Sequence, residues 1–411
     1  MGETNRSRRI LLIWELGGAM GHLVRLVPIM RALLGNGHRV SLALQSTPRH
    51  ALVPEGVRLL PIPVMPASRQ PISQPVSIAD ILHNIGVCDT ESLAGQARAW
   101  RGLIETVAPD AVVLDYSPTA LLALQGMGLP LIQIGTGFAS PPAVSPLPNL
   151  REWQNHYPDR IMATETAVCA ALNAQLERQG QPALANIGEL FGRLDWNVLA
   201  TFPELDHYPG EGRGENGGNY RGDYRGDYRG TWGETMAAEP VWPEAEGPKI
   251  FVYLKPFRGL RAILDELARR RLSSVVYIGG PFDPGRWDNS TVRISPVPLN
   301  MRQAARQCDL AILNAGHGAT AAMLLAGVPL LQLPIQIEQY HNAEASARLG
   351  AGLRVDLGDQ DAFVSALDRL LSDSCYREAA KAFAHRYRDH DPERTVDQIV
   401  AGISERASGK G

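Results

Sequence analysis

Short, continuously apolar runs alternate with amphipathic segments through the first third of the chain. The run Ile10–Trp14 ends at Gly17-Gly18, and the apolar residues that follow recur at helical spacing as far as Gly35-Asn36-Gly37. Continuous apolar runs of this length are typical of strands buried in parallel sheets. Glycines directly after a periodic segment mark the end of a helix. Strand–helix–strand units of this size predict a right-handed, doubly wound α/β sheet.

The same rhythm returns in the second half, which predicts two α/β domains. In the first domain we predict strands at Ile10–Trp14, Arg39–Leu44, Val57–Val64, Ala111–Leu114 and Leu129–Ile134. In the second we predict them at Ile250–Leu254, Ser274–Ile278, Val292–Ile294, Leu310–Leu313, Val328–Leu333 and Leu353–Val355. A chain of 411 residues is long for one domain and sufficient for two. The predicted domains are residues 1–205 and 249–388, followed by a C-terminal helix at 389–411.

Residues 206–248, between the two predicted domains, are rich in Gly, Pro, Glu and Tyr. They contain a tandem repeat, Tyr220-Arg221-Gly222-Asp223, then Tyr224–Asp227, then Tyr228-Arg229-Gly230. A segment of this composition buries too little apolar surface to offset its ordering entropy. We therefore predict a flexible surface linker lengthened by repeat slippage, the alternative being an Arg/Tyr-rich loop that binds a partner.

The overall composition excludes several classes of partner. The formal net charge of -3 gives no global basic field that would attract nucleic acid. The four cysteines lie far apart without a CxxC pair, which argues against a zinc site or a disulfide framework and fits a reducing compartment. The apolar stretch near the N-terminus is too short for a secretory signal or a membrane span. We expect a cytoplasmic enzyme and leave peripheral membrane contact open.

A glycine-rich turn that carries a histidine follows the first predicted strand. Residues 17–22, Gly-Gly-Ala-Met-Gly-His, join this strand to the first helix. Glycine allows a tight turn and close backbone approach, and a helix N-terminus favours negative charge. The spacing fits neither the G-x-G-x-x-G fingerprint nor a P-loop. What remains is His22 at the carboxyl edge of a parallel sheet, where α/β proteins build active sites.

A second segment of this kind follows the predicted strand Leu310–Leu313. Residues 314–320, Asn-Ala-Gly-His-Gly-Ala-Thr, open a short helix, and their glycines free backbone N–H groups to face an anion. The candidate anion-binding residues are Gly316, His317, Gly318 and Thr320. Further along, Glu338 and Gln339 offer a carboxylate and an amide suited to binding a polyhydroxylated ligand.

The order of these motifs resembles the family 1 (UDP-glycosyltransferase-like) enzymes of the GT-B fold. The motifs are Gly-His after the first strand, then Gly-His-Gly-x-Thr, Gly-Val-Pro and Glu-Gln-x-x-Asn-Ala. The specific part of the resemblance runs from Ser295 to Gly352, and the N-terminal part is looser. The resemblance implies two Rossmann-like, doubly wound domains that face a cleft, the N-terminal one binding the acceptor and the C-terminal one the nucleotide-sugar donor.

Carried over to this sequence, the resemblance also implies roles for single residues. His22 matches the catalytic base, and Asp115 matches the carboxylate that orients it. His317, Gly318 and Thr320 match the residues that hold the donor diphosphate. Glu338 and Gln339 match an Asp-Gln pair that binds sugar hydroxyls, and Val297 lies in the loop that contacts the nucleobase.

The implied reaction is direct displacement at the anomeric carbon with inversion, without a cofactor or a metal ion. The departing nucleoside diphosphate is stabilised by the helix start at Gly318 and by His317. Asp359-x-Asp361 and Asp389-x-Asp391 look like metal-binding Asp-x-Asp motifs, but we interpret both as solvated surface. Where the family has Gly-Ser after the first strand of the second domain, this chain has Lys255, which either faces the diphosphate or faces solvent.

Several of these residues also have structural interpretations. Asp115 could cap the helix that contains Thr119 to Leu124. Glu15 ends a buried strand and lies either near the cleft or in a structural pair. Phe138 either lines an acceptor pocket or packs in the core. The C-terminal segment from Tyr387 to Ile403 is expected to cross back onto the first domain.

Two other functions are compatible with these motifs. One is a nucleotide-sugar epimerase of the same architecture, and the other is a non-catalytic protein that binds a nucleotide-sugar. The Gly-His turn favours a transferase, because it suits deprotonation of an external hydroxyl. The donor is expected to be a UDP-sugar, with dTDP-sugars using the same scaffold, and the acceptor a small molecule or lipid.

Overall fold

The computed structural model describes residues 7–18, 20–45, 52–151, 158–208, 226–233 and 237–409. The chain divides into two compact units. Within the described residues, unit 1 takes in the chain up to Phe202, the segment Tyr208–Gly233 and the chain from Asp391. Unit 2 consists of Pro203–His207 and Glu234–His390. Unit 1 therefore contains two short segments outside its main run of sequence, and unit 2 contains one.

Unit 1 is built on a seven-stranded sheet. Its strands are β1 (Arg9–Trp14), β2 (Arg39–Leu44), β3 (Arg58–Pro61), β4 (Ala111–Asp115), β5 (Leu131–Gly135), β6 (Trp196–Leu199) and β7 (Asp227–Tyr228). The spatial order is β3-β2-β1-β4-β5-β6-β7, and neighbouring strands run parallel. The helices between them are α1 (Met20–Gly35), α2 (Ile78–Asn84), α3 (Thr90–Val107), α4 (Pro118–Leu124), α5 (Pro158–Arg178) and α6 (Gly188–Gly192).

Unit 2 is built on a six-stranded sheet. Its strands are β8 (Lys249–Leu254), β9 (Ser273–Ile278), β10 (Val292–Ser295), β11 (Leu310–Leu313), β12 (Leu330–Gln332) and β13 (Gly352–Arg354). They lie in the order β10-β9-β8-β11-β12-β13 and are again parallel. The helices are α7 (Leu260–Arg269), α8 (Met301–Gln307), α9 (His317–Leu325), α10 (Ile337–Arg348), α11 (Gln360–Ser372) and α12 (Cys375–Arg386). The predicted fold class, two doubly wound α/β units, is confirmed.

The strands are continuously apolar because both faces of each sheet are covered by helices. In unit 1, Leu26 and Met30 of α1 pack on the strands together with Ile399 and Ile403 from the last helix, α13 (Pro392–Ala407). These side chains are fully buried. Residues from Asp391 onwards thus complete the core of unit 1. Within the described ranges, no helix is both long and apolar enough to span a bilayer.

Each sheet has one position where the strand order reverses. In unit 1, β1 pairs with β2 on one side and with β4 on the other. In unit 2, β8 pairs with β9 and with β11 in the same way. Loops that leave the carboxyl ends of two such strands diverge and open a crevice, which is where open α/β sheets bind ligands. The fold therefore directs attention to the ends of β1, β4, β8 and β11.

The segment 226–233 differs from the predicted flexible linker. Asp227 and Tyr228 form β7, which pairs with β6, and Asp227 accepts a hydrogen bond from Trp196 Nε1 at 2.7 Å. Trp232 is only 2% exposed, and its Nε1 donates to the backbone oxygen of Arg25 at 3.0 Å. Residues 226–233 are thus ordered because Trp232 buries apolar surface. The average composition of residues 206–248 does not show this contribution of a single residue. The earlier repeats, up to Arg225, lie outside the described residues.

Candidate active site

His22 and Asp115 are hydrogen-bonded at the switch point of unit 1. His22 lies in the first turn of α1, directly after β1, and Asp115 is the last residue of β4. Their Nδ1 and Oδ1 atoms are 3.0 Å apart. The Asp115 side chain is 1% exposed and that of His22 is 16% exposed. A buried carboxylate thus holds one nitrogen of a ring that is itself partly exposed.

Arg25, which the sequence analysis did not single out, shares the Asp115 carboxylate. Its Nη2 lies 2.8 Å from Oδ2 and 2.9 Å from Oδ1 of Asp115, and 3.4 Å from Nδ1 of His22. Burial raises the pKa of Asp115, but the charge of Arg25 and the hydrogen bonds from His22 and Arg25 outweigh it, and the pKa is lowered from its ordinary value. The only sequence signal is that Arg25 follows His22 by three positions, on the same face of the helix.

Two aromatic rings stack on His22. The ring centroid of Trp14 lies 5.2 Å from that of His22, and the centroid of Tyr116 lies 6.5 Å from it. Tyr116 follows β4 with a φ of 48°, a left-handed conformation that few residues with side chains adopt. Phe138 meets Tyr116 edge-on at 6.3 Å and is itself buried. Phe138 therefore adjoins the aromatic group around His22 while packing in the core.

Gly17 leaves the space beside the other nitrogen of His22. A Cβ atom on Gly17 would lie 2.6 Å from His22 Nε2. That distance is within the range at which a base meets the heavy atom whose proton it takes. Gly17 also has a φ of 87°, which disfavours any other residue. The turn thus combines a conformation that favours glycine with access to Nε2.

Glu15 is bound to the start of α4. Its carboxylate accepts hydrogen bonds from the backbone N–H groups of Thr119 at 3.1 Å and Ala120 at 3.4 Å, and from the Thr119 hydroxyl. Burial raises the pKa of Glu15 to about 7, although these hydrogen bonds lower it. Glu15 is therefore engaged in a structural pair with the start of α4. The alternative interpretation had assigned this capping role to Asp115, but Glu15 makes these contacts.

The loop that carries His317 is fixed from both sides. Asn314, after β11, accepts from the backbone N–H of Lys255 at 2.6 Å and donates to the backbone oxygen of Leu333 at 2.7 Å. Ala315 has a φ of 57°, and its oxygen accepts from Asn342 Nδ2 at 2.9 Å. This network joins the ends of β8, β11 and β12. It presents the first turn of α9 at the switch point of unit 2.

The predicted diphosphate residues differ in their accessibility. Gly316 precedes α9 as its N-cap, His317 begins it, and Gly318 is exposed. Lys255 is exposed directly after β8. Thr320 is only 1% exposed, and its hydroxyl accepts from Gln332 Nε2 at 2.9 Å. The structure therefore places the Thr320 hydroxyl inside unit 2, whereas Lys255 and Gly318 lie at its surface.

The residues predicted to bind the donor sugar and the nucleobase lie in two places. Glu338 and Gln339 are in the first turn of α10, with Glu338 half-buried. Gln339 is buried, and its Oε1 accepts from the backbone N–H of Ile335 at 2.9 Å. Val297, 47% exposed, follows β10 at the far edge of the sheet. Glu338 thus lies at the start of the helix that follows β12, and Val297 is separated from β11 by two intervening strands.

His207 is a second residue that sequence reasoning missed. It belongs to unit 2, and its side chain is fully buried. Its ring lies 6.0 Å from that of His317 and 6.4 Å from that of His341, and its Nε2 lies 3.9 Å from Oε1 of Glu338. His207 therefore contacts both the predicted diphosphate residue and the predicted sugar residue. Its position in sequence, inside the predicted linker, carries no signal of this role.

The two Asp-x-Asp motifs cap helices. Asp359 accepts from the backbone N–H of Ala362 at the start of α11, and Asp391 does the same for Glu393 and Arg394 at the start of α13. In the part of the chain that the structure describes, no group of three or more His, Cys, Asp or Glu residues is arranged to hold a metal ion.

Comparison with known proteins shows what this chain is similar to. Residues 289–401 match the family model described as Erythromycin biosynthesis protein CIII-like, C-terminal domain. The PGL/p-HBAD biosynthesis glycosyltransferase of Mycobacterium tuberculosis strain H37Ra is 25% identical over 407 aligned residues, which cover 93% of this chain and 89% of the relative. The sequence similarity thus extends over nearly the whole of both proteins.

Solved structures share the fold at low sequence identity. The glycosyltransferase of kitacinnamycin superposes with a TM-score of 0.66 at 20% identity, over 98% of this chain and 99% of that one. The Streptomyces sp. SF2575 glycosyltransferase SsfS6, solved in complex with thymidine diphosphate, gives 0.59 at 21% identity, over 95% and 99%. The chain thus has the GT-B fold, and its relatives support the predicted enzyme class, a glycosyltransferase similar to those of family 1.

Proposed function

We propose that this protein is an inverting, metal-independent glycosyltransferase that uses His22 as its general base. His22 Nε2 takes the proton of an acceptor hydroxyl while the hydroxyl oxygen bonds to the anomeric carbon of the donor sugar. The bond between that carbon and the diphosphate oxygen breaks at the same time, and the nucleoside diphosphate leaves with the electron pair. The configuration at the anomeric carbon is inverted because a single displacement takes place.

The observation that carries this proposal is the hydrogen bond between His22 and Asp115. When Nδ1–H donates to the carboxylate, Nε2 carries the lone pair and can act as a base. A base held in one tautomer by a buried carboxylate is the arrangement that general-base catalysis needs. The glycine at position 17 gives an acceptor hydroxyl access to Nε2.

Unit 2 supplies the donor half of the proposal. The first turn of α9 carries backbone N–H groups without partners inside the helix, and its dipole favours an anion. His317 and the exposed Gly318 stand at this turn, with Lys255 nearby after β8. We assign the diphosphate to this turn and the sugar hydroxyls to Glu338. The nucleotide is UDP or dTDP, and the thymidine diphosphate bound to SsfS6 is a reason to test both.

Calorimetric titration with UDP and dTDP, each with and without EDTA, tests the donor half. We expect saturable binding that EDTA does not change, that His317→Ala weakens and that His22→Ala leaves intact. The transfer half is tested by incubating the protein with UDP-glucose or dTDP-glucose and a panel of phenolic, aliphatic and lipid alcohols. Nuclear magnetic resonance of the product then gives its anomeric configuration.

Each half of the proposal can fail separately. Failure to bind either nucleotide would remove the donor assignment. Nucleotide binding without transfer to any acceptor, together with interconversion of the sugar alone, would point to an epimerase. Full transfer activity in His22→Ala would remove His22 as the base, and retention of configuration would exclude a single displacement.

A further inference from the structure

Asp115 raises an electrostatic problem for a base next to it. A carboxylate that is almost completely buried needs a positive partner, because an isolated charge in a low-dielectric interior is very costly. In a pair that consists of a histidine and a buried aspartate alone, the natural positive partner is a protonated imidazole. A histidine that is already protonated cannot accept a proton from an acceptor hydroxyl.

Arg25 supplies a positive charge at the same carboxylate. Its Nη2 lies 2.8 Å and 2.9 Å from the two oxygens of Asp115, and its side chain is 11% exposed. A guanidinium stays protonated throughout the pH range of proteins. The ion pair between Arg25 and Asp115 therefore balances the buried charge before His22 takes up any proton.

The chemistry of Asp115 assigns the tautomer of His22, because an ionised carboxylate can only accept a hydrogen bond. Arg25 Nη2 is closer to both carboxylate oxygens than to His22 Nδ1, which is 3.4 Å away, whereas Nδ1 is 3.0 Å from Asp115 Oδ1. Nδ1 therefore carries the hydrogen and donates it to Asp115, while Arg25 donates to the carboxylate. The charged and titratable side chains that the described residues place against His22 are Asp115, Arg25 and the stacked Tyr116.

The placement of Arg25 is not optimised for stability. Its Nε atom is buried and has no hydrogen-bond partner within the described residues. A buried donor that lacks a partner costs free energy, and such groups in native structures call for an explanation. Its backbone, in contrast, is held from outside the helix, because Trp232 Nε1 donates to the Arg25 oxygen at 3.0 Å.

We propose that Arg25 is a positioning residue for the general base: its guanidinium is the standing positive partner of Asp115, so that His22 stays neutral and able to accept a proton. This inference rests on the proposed role of His22 as the base. Arg25 acts through Asp115 and has no contact with the reacting atoms in the proposed reaction. Its removal leaves a proton on His22 as the remaining source of positive charge for the carboxylate.

The test is the pH dependence of kcat/KM for the unmodified protein, Arg25→Met, Arg25→Gln and Arg25→Lys, measured with one donor and one acceptor. In Arg25→Met and Arg25→Gln we expect the acid limb of the profile to move to higher pH by about one unit, a tenfold loss on that limb. At high pH, the kcat/KM of these two variants should approach that of the unmodified protein. Arg25→Lys should restore the profile in part, because it keeps the charge without the planar fork.

A purely structural role predicts a different result. Arg25→Met and Arg25→Gln would then lose activity by the same factor at every pH, and an unchanged acid limb would overturn the inference. Thermal unfolding of each variant shows which ones are folded. If neither uncharged variant is folded, the pH profile of Arg25→Lys is compared with that of the unmodified protein instead. If the unmodified protein transfers no sugar, the proposed function fails; if it does and the limb stays in place, only this inference fails.

Discussion

Thr119 donates two hydrogen bonds to the Glu15 carboxylate, one from its backbone N–H and one from its hydroxyl. They connect the end of β1 to the start of α4, two elements that are distant in sequence and flank the His22–Asp115 pair. Glu15 is buried at this junction, and its pKa is raised to about 7. A carboxyl group in this position makes the stability of unit 1 depend on pH.

Glu15 should make the protein lose stability as the pH rises. Its pKa is higher in the folded state, about 7, than the ordinary value of 4.5, so the folded state holds the proton more tightly. The resulting stabilisation is fully present below pH 4.5 and is lost as the pH rises to 7, by about 3 kcal/mol. Urea unfolding at several pH values, with Glu15→Gln, measures this slope.

The glutamine variant removes the titrating group and keeps an oxygen that can accept from the helix start. We expect its unfolding free energy to vary less between pH 4.5 and 7 than that of the unmodified protein. Glu55, which is exposed, provides the control, and Glu55→Gln should leave the slope unchanged. Equal slopes in Glu15→Gln and the unmodified protein would show that Glu15 does not titrate in this range.

The elements that the sequence predicted well are those with a strong local pattern. Ile10–Trp14 and the periodic residues after it predicted β1 and α1, and His22 was singled out because glycines precede it after β1. Strands β6 and β7 were missed, and the cause is clear for β7, which has only two residues and forms by pairing with Val198 and Leu199 of β6. Such a strand has no pattern of its own, and only its partner defines it.

The contacts of side chains were less predictable than the positions of the elements. Arg25 could not be assigned from its spacing alone, since its role depends on where the end of β4 lies. His207 reaches the His317 region only because the chain enters unit 2 briefly at Pro203–His207. The Gly-His-Gly-x-Thr motif groups Thr320 with His317, but one helical turn directs the Thr320 hydroxyl to Gln332. Sequence motifs specify neighbours along the chain and not the direction of each side chain.

Trp232 should contribute strongly to the stability of unit 1. Its ring is packed in the core with α1 and α13, and its Nε1 donates to the Arg25 oxygen. Trp232→Ala should lower the unfolding free energy by about 3–5 kcal/mol, and Trp232→Phe by about 1 kcal/mol, through loss of the hydrogen bond. Trp242→Phe, at a partly exposed ring, is the control. A loss in Trp232→Ala no larger than that of the control would mean that 226–233 does not stabilise the unit.

His207 should affect donor binding more strongly when the sugar is present. Its ring lies against that of His317, which we assign to the diphosphate, and its Nε2 lies 3.9 Å from Glu338, which we assign to the sugar. His207→Phe should weaken binding of the nucleotide-sugar by about tenfold, which corresponds to about 1.4 kcal/mol, and should weaken binding of the nucleoside diphosphate by less. Calorimetry with both ligands, and with His385→Phe at an exposed site as control, measures the difference. Equal affinities in His207→Phe and the control would contradict this role.

Two adjacent glycines provide a matched test of access to the base. A Cβ on Gly17 would lie 2.6 Å from His22 Nε2, whereas a Cβ on Gly18 would meet nothing within 4 Å. Gly17 also has a φ of 87°, so alanine there is strained by about 1–2 kcal/mol. We expect Gly17→Ala to lose about a hundredfold in kcat/KM, because it displaces the ring or occupies the place of the hydroxyl. Gly18→Ala should keep its activity.

The comparison also separates loss of folding from loss of chemistry. Since His317 and the other donor residues lie in unit 2, Gly17→Ala should bind the nucleoside diphosphate as tightly as the unmodified protein does. Its melting temperature should fall only by the amount that backbone strain at one residue causes. Were Gly17→Ala as active as Gly18→Ala, the space beside Nε2 would not be where the acceptor hydroxyl binds. The proton would then have to leave by another route, and the assignment of His22 as the base would rest on its hydrogen bond to Asp115 alone.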